Sequence, residues 1–287
     1  MKKYIPTIMV CILFTAGLSL LLYPFVANQW NTFRQSRLIS DYDETVAGLD
    51  EAGLITYEEE WQRALDYNDS LIPYILPDSF STAEIPEEGS EEYLACLNLT
   101  GDGMMGYVQV PKIGVKIPVY HTTGEEVLQK GAGHLPGSSI PVGGEGTHAV
   151  ISAHRGLPSA ALFTDLDKLT YGDYFLLSVL DDILCYQVDR ISVVEPTDTS
   201  TLAAEEGQDL VTLLTCTPYG VNSHRLLVRG TRVPYNGEEE AARTPVDTML
   251  RAVQNYYMLY LILGLSVTLL VILFMRFLFR RPGRNPS

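Results

Sequence analysis

Thr212-Leu213-Leu214-Thr215-Cys216-Thr217-Pro218-Tyr219-Gly220-Val221-Asn222-Ser223-His224-Arg225 is the stretch on which the fold of this 287-residue chain turns. An apolar run ends at Cys216, a Pro/Gly turn follows, and Arg225 opens a second apolar run. Two such runs around a turn read as paired strands, which sets a thiol and a guanidinium side by side at one rim of a sheet. Working outward, short runs rich in Val, Ile, Leu and Tyr cover 107–110, 117–120, 148–153, 174–180, 183–194, 210–215 and 226–233, separated by turn residues. Asp181-Asp182 is expected to form a tight hairpin turn, and a short helix is expected at 160–169. About seven strands in about 130 residues predict a mainly β fold, closed or nearly closed into a barrel, rather than an α/β sheet.

Both ends of the chain differ from this middle. Residues 5–26 and 256–275 are apolar and uncharged, long enough to cross a bilayer, which needs about 20 residues. Lys2 and Lys3 precede the first stretch, and Arg276, Arg280, Arg281 and Arg284 follow the second. Basic residues favour the cytoplasmic side, so the pattern predicts two anchors, both termini inside and the middle outside the cell membrane. A cleaved signal peptide is the alternative for the first stretch, although cleavage after Ala27 would put Phe25 where a small residue is needed.

The chain therefore divides into an anchor (1–27), a helical segment ending in a long loop (28–102), a barrel (103–235), a tether (236–255), a second span (256–275) and a basic tail (276–287). Within the second part, Leu38, Tyr42, Val46 and Leu49 lie on one helical face, and Thr56 with Glu59 fits a capping box that opens another helix. Pro73, Pro77 and Pro86 then break the pattern. All 35 acidic residues lie between the two apolar stretches with 14 basic ones, a net charge of −21 there, which argues against nucleic acid as a partner.

Of four cysteines, Cys11 falls in the first apolar stretch, leaving Cys96, Cys185 and Cys216 outside. No pair has metal-ligand spacing. A Cys96–Cys185 bridge would leave one thiol over. Cysteine catalysis needs a thiolate, and an ordinary thiol is only a few per cent ionised at neutral pH, so a nearby His must take or hold the proton. Spacing leaves His121, His134, His148, His154 and His224 all as candidates. A tetrahedral intermediate also needs donors for its oxyanion, which a permanently charged Arg provides. Cys216, His154 and Arg225 supply those three parts.

Thr212-Leu213-Leu214-Thr215-Cys216 resembles the TLxTC signature of the sortases. The continuation Pro218 to Gly230 is similar to their class C, pilin-polymerising branch. So are Ala153-His154-Arg155-Gly156-Leu157-Pro158, Gly131-Ala132-Gly133-His134-Leu135 and Leu162 to Leu169. The resemblance implies an eight-stranded closed sortase barrel. It makes Cys216 the nucleophile, His154 the general acid/base and Arg225 the donor to substrate or oxyanion, with no metal or other cofactor required. Substrates would be secreted pilins of a Gram-positive cell with an LPxTG-like sorting signal, and the acyl group would pass to a pilin lysine. A peptidoglycan precursor as acceptor (cell-wall anchoring) or water (plain hydrolysis) are the alternatives the same site would serve. Class C sortases also carry a lid with an Asp-Pro-aromatic motif; the counterpart here is Asp78-Ser79-Phe80, with Asp78 and Phe80 the lid residues. Ser replaces the Pro, which implies a less rigid lid.

Overall fold

The computed structural model describes residues 5–71, 76, 78–80, 89–237, 264–266 and 268. Eight strands close into a barrel: β1 (Met104–Val110), β2 (Val115–His121), β3 (Ala132–His134), β4 (Thr147–Ser152), β5 (Tyr174–Val179), β6 (Asp182–Val194), β7 (Asp209–Thr217) and β8 (His224–Val233). Their order around the barrel is β1-β2-β3-β4-β7-β8-β6-β5. Pairing is antiparallel except between β2 and β3 and between β4 and β7. Closure leaves no strand edge exposed for pairing with another chain.

Seven of these strands coincide with the apolar runs of the sequence. The eighth, β3, has three residues and a central glycine, so it carries no periodic signal. Gly133 is required there: a Cβ would meet the Thr122 carbonyl oxygen at 2.2 Å. Strands β5 and β6 are joined by Leu180 and Asp181, one residue earlier than expected, with Leu180 in the left-handed region at φ 54°. The helix anticipated at 160–169 is reduced to a single 3-10 turn at Leu166–Lys168.

Inside the barrel, side chains of alternate strand residues interdigitate, among them Val108, Ile117, Ile151, Phe175, Leu213 and Val228. Phe175 and Tyr186 stack at 5.6 Å there, and Gly230 makes room for the pair. A second apolar cluster lies where helices cover β1 and β2. It joins Ile39, Tyr42 and Val46 of α1 (Ile5–Glu51), Ala64 of α2 (Tyr57–Ser70) and Tyr93 of α3 (Glu91–Ala95) to Met104, Met105 and Tyr120. Asn68 of α2 grips the barrel side twice, donating to the Ile140 carbonyl at 3.1 Å and accepting from its N–H at 2.7 Å.

Helix α1 runs unbroken through residue 27, with Pro24 inside it. From Ile12 onward it is long and apolar enough to cross a membrane, with mean hydropathy 1.4 and none of that window buried. Thr56 stands at the N-cap of α2 with extended backbone, but its side chain makes no capping hydrogen bond, so the expected capping box is not formed. The chain divides into two units, Met1–Ala242 and Arg243–Ser287. The second apolar stretch lies outside the described residues apart from 264–266 and 268, which are helical. Cys96, in the helical cluster, and Cys185, on β6, are both buried and are not joined by a disulfide.

Candidate active site

The site is built at one end of the barrel from the ends of three neighbouring strands. Strands β7 and β8 pair so that Cys216 stands directly across from Arg225. Side chains directly opposite in an antiparallel pair share a face, so thiol and guanidinium are neighbours by register alone. Both are nearly covered, Cys216 at 7% and Arg225 at 8% exposure. The turn between them opens on a cis Thr217–Pro218 bond. Arg225 holds this turn by donating from Nη1 to the carbonyls of Asn222 (3.2 Å) and His224 (3.1 Å).

His154 arrives from β4. The parallel register matches Ser152 with Leu214, and carrying it on by two residues sets His154 level with Cys216. Two hydrogen bonds extend the pairing past the strand end: Ala153 N–H to the Leu214 carbonyl at 3.1 Å, and Thr215 Oγ1 to the Ala153 carbonyl at 2.7 Å. Beyond it, Arg155 donates to Thr217 Oγ1 at 3.0 Å and pairs with Asp167. Tyr219 of the β7–β8 turn lies so close over Gly156 that a Cβ there would meet its ring at 2.8 Å.

The other histidines are engaged elsewhere. His134 is fully buried between Tyr93 and the Ser139 carbonyl, and burial pushes its pKa down to about 3. His148 bridges the Ala203 carbonyl and Thr212 Oγ1. His121 sits beneath Tyr93 with Nδ1 on the Gly103 carbonyl. His224 precedes Arg225 on the same strand, so it points to the opposite face, toward Glu195 at 3.2 Å.

The Asp78-Ser79-Phe80 segment lies on this constellation. Asp78 accepts two hydrogen bonds from Arg225, Nε to Oδ1 at 2.7 Å and Nη2 to Oδ2 at 2.6 Å, the fork-to-fork geometry of a strong ion pair. The Phe80 ring lies 5.5 Å from the His154 ring and 5.3 Å from the Arg225 guanidinium carbon. Ser79 is buried and accepts a hydrogen bond from Ser152 Oγ at 2.8 Å. The serine expected to loosen this turn is therefore itself tied to the barrel. Leu76 and Phe80 extend the segment's footing into an apolar cluster with Leu135, Val150, Leu202, Leu214 and Leu227.

Burial raises the Cys216 pKa, and the Asp78 carboxylate pushes the same way while Arg225 opposes it. Burial lowers the His154 pKa, with the carboxylate of Glu125 pulling it back. In this arrangement the thiol and the imidazole are both held neutral. Glu125 and the Ser79–Ser152 pair escaped the sequence reading, because a Glu in a polar helix start and a Ser in a turn look like solvated surface. Among the described residues no three His, Cys, Asp or Glu side chains gather as metal ligands do.

The family described as the sortase domain matches residues 108–233. Sortase C of Streptococcus pneumoniae is 50% identical and superposes with a TM-score of 0.64, covering 70% of this chain and 98% of that one. Sortase C1 of Streptococcus agalactiae is 45% identical, with a TM-score of 0.61 and 70% and 100% of the two chains covered. Sortase C-1 of Actinomyces oris is 43% identical, with a TM-score of 0.59 over 63% of this chain and all of that one. Among curated relatives, sortase D of Bacillus subtilis is 28% identical over 131 residues, which are 45% of this chain and 63% of that protein. The similarity thus spans a little under two thirds of that relative's length.

Proposed function

From the premise that this chain belongs to the sortase family, on its class C branch, we propose that it is a cysteine transpeptidase that builds covalent pili. Class C relatives 42–50% identical to it include a pilus-related sortase of group B Streptococcus. The observation that carries the reading is the meeting of Cys216 and Arg225 across β7 and β8, with the β4 register bringing His154 alongside.

The reaction starts when the 78–80 segment leaves the site. Asp78 then releases the Nε and Nη2 donors of Arg225, and the thiol loses the carboxylate that held its proton on. The Cys216 proton passes to His154. The thiolate attacks the threonine carbonyl carbon of an LPxTG-like signal, and the carbonyl electron pair moves onto oxygen, where Arg225 stabilises it. Collapse of the intermediate expels the glycine amine, which takes the proton from His154 and leaves a thioester. A pilin lysine amine then attacks the thioester and gives its proton to His154, and an isopeptide bond forms as the Cys216 thiolate leaves. The apolar N-terminal part of α1 supports membrane anchoring. With Lys2, Lys3 and the four C-terminal arginines inside, the barrel would work outside the cell.

The test is product identification. The full-length protein in detergent, given an LPxTG-type peptide and a lysine-bearing pilin, should form the isopeptide-linked conjugate. Cys216→Ala should abolish both cleavage and conjugate, and Cys185→Ala should spare them. Conjugate from the Cys216→Ala protein, or hydrolysed peptide as the sole product of the wild type, would overturn the reading.

A further inference from the structure

His154 has one buried nitrogen whose surroundings the reaction above does not use. Its Nε2 is sealed from solvent and makes no hydrogen bond. The carboxylate it faces is Glu125, with Oε2 at 3.7 Å, an ion-pair distance too long for a hydrogen bond. We propose that Glu125 is the positioning residue of this site, holding the His154 ring through Nε2 so that Nδ1 exchanges protons with Cys216 and the leaving amine. The inference rests on the acid/base role proposed for His154.

The carboxylate is aimed. Glu125 opens α4 (Glu125–Lys130), the short helix that crosses from β2 to the parallel strand β3. One oxygen, Oε1, is taken by Gln129 Nε2 at 2.6 Å, which leaves Oε2 for His154. The helix is fixed from both sides, by Leu128 buried against the fold and by Gln35 of α1 donating to the Lys130 carbonyl. Other charges around His154 have partners of their own. Asp78 is committed to Arg225, and Arg155, next in the chain, is committed to Asp167 and Thr217. Cys216 comes from β7 and Arg225 from β8, and the third face carries the uncharged Phe80 ring. An exposed glutamate that served only the helix would have its i,i+4 pair with Gln129 and no reason to face an orphaned imidazole nitrogen.

In the proposed reaction the working form of the site is thiolate with imidazolium. With the thiol pKa held up and the imidazole pKa held down, the neutral pair predominates near neutrality and the ion pair is a minor fraction. That fraction falls about tenfold for each unit by which the His154 pKa drops further. Glu125 opposes the drop, although its side chain is 70% exposed and water screens part of its pull.

The pH profile of kcat/KM, measured with the full-length protein and an LPxTG-type peptide, tests this. In Glu125→Gln the plateau should fall several-fold and the acid limb, which reports His154, should move to lower pH, with KM nearly unchanged. The two shifts must come together, because one change in His154 produces both. An acid limb left where the wild type has it overturns the inference, whether the rate falls or not. His154→Ala is run alongside: if it still cleaves, the acid/base reading itself fails. If it is inactive while Glu125→Gln keeps the wild-type profile, only the role of Glu125 fails.

Discussion

Arg225 shows how much one side chain carries here. Its guanidinium makes four hydrogen bonds, two to Asp78 and two to carbonyls of the turn that follows Cys216. A lysine would keep the charge but has no planar fork to hold the turn and present two parallel donors. Arg225→Lys should therefore lower kcat/KM by about 10²–10³, the usual loss when an oxyanion donor is removed. Steady-state cleavage of an LPxTG-type peptide checks this, and near-wild-type turnover would remove Arg225 from the mechanism. Arg229, four residues along, is a poor control despite its position outside the site. It is bound to Asp189 by two hydrogen bonds and to Glu205 by a third, so its replacement disturbs a network that ties β8 to its surroundings. Arg190, exposed on β6, is the better comparison.

At the scale of elements, the 78–80 segment lies over the site, and the proposed reaction requires it to leave. Ion pair, serine hydrogen bond and half-buried Phe80 ring act together, and each alone is modest: a buried hydrogen bond contributes about 1 kcal/mol net, and a partly buried ring less than the roughly 1.5–3 kcal/mol of full burial. Such a sum favours the closed form yet leaves opening within reach of thermal motion. Asp78→Ala with Phe80→Ala should speed alkylation of Cys216 by a small thiol reagent several-fold or more. Labelling should also begin at lower pH. Burial and Asp78 both raise the thiol pKa, so removing them lets it fall, and thiolate appears earlier on the way up from acid. Cys96 is the internal standard, since burial away from the site pushes its pKa up to about 11. Equal labelling rates and midpoints with and without the substitutions would mean that the segment is not a lid.

For the whole molecule, α1 links the apolar end of the chain to the barrel. Gln35, Ile39, Tyr42 and Val46 form its buried stripe at steps of four, three and four, one helical face. Tyr42 is the largest of these, and its hydroxyl donates to the Met105 carbonyl at 3.2 Å. Tyr42→Ala should destabilise the folded chain by about 3–5 kcal/mol, the range for emptying a buried aromatic site. Thermal unfolding of the full-length protein reads this directly. An unchanged midpoint would mean that the helix does not depend on its seat against β1 and β2.

Local physics accounts for what the residues alone determined. Seven strands were legible because β-branched and aromatic runs bounded by turn residues are a property of neighbours in sequence. The meeting of Cys216 and Arg225 was legible because a hairpin pairs residues only a few positions apart. His154 was singled out among five histidines by resemblance, since nothing in its own neighbourhood marks it. What remained hidden depends on segments distant in the chain. The three-residue β3 exists because the barrel must close between β2 and β4, not because Ala132-Gly133-His134 favours a strand. The parallel β4–β7 pairing, which brings His154 level with Cys216, joins residues about sixty apart, and the Asp78–Arg225 pair spans 147. Glu125 faces His154 only because α4 is clamped between two strands and α1. Such contacts form after loop closure and packing have been met together, and no short stretch of sequence encodes both partners, so the tertiary structure alone decides them.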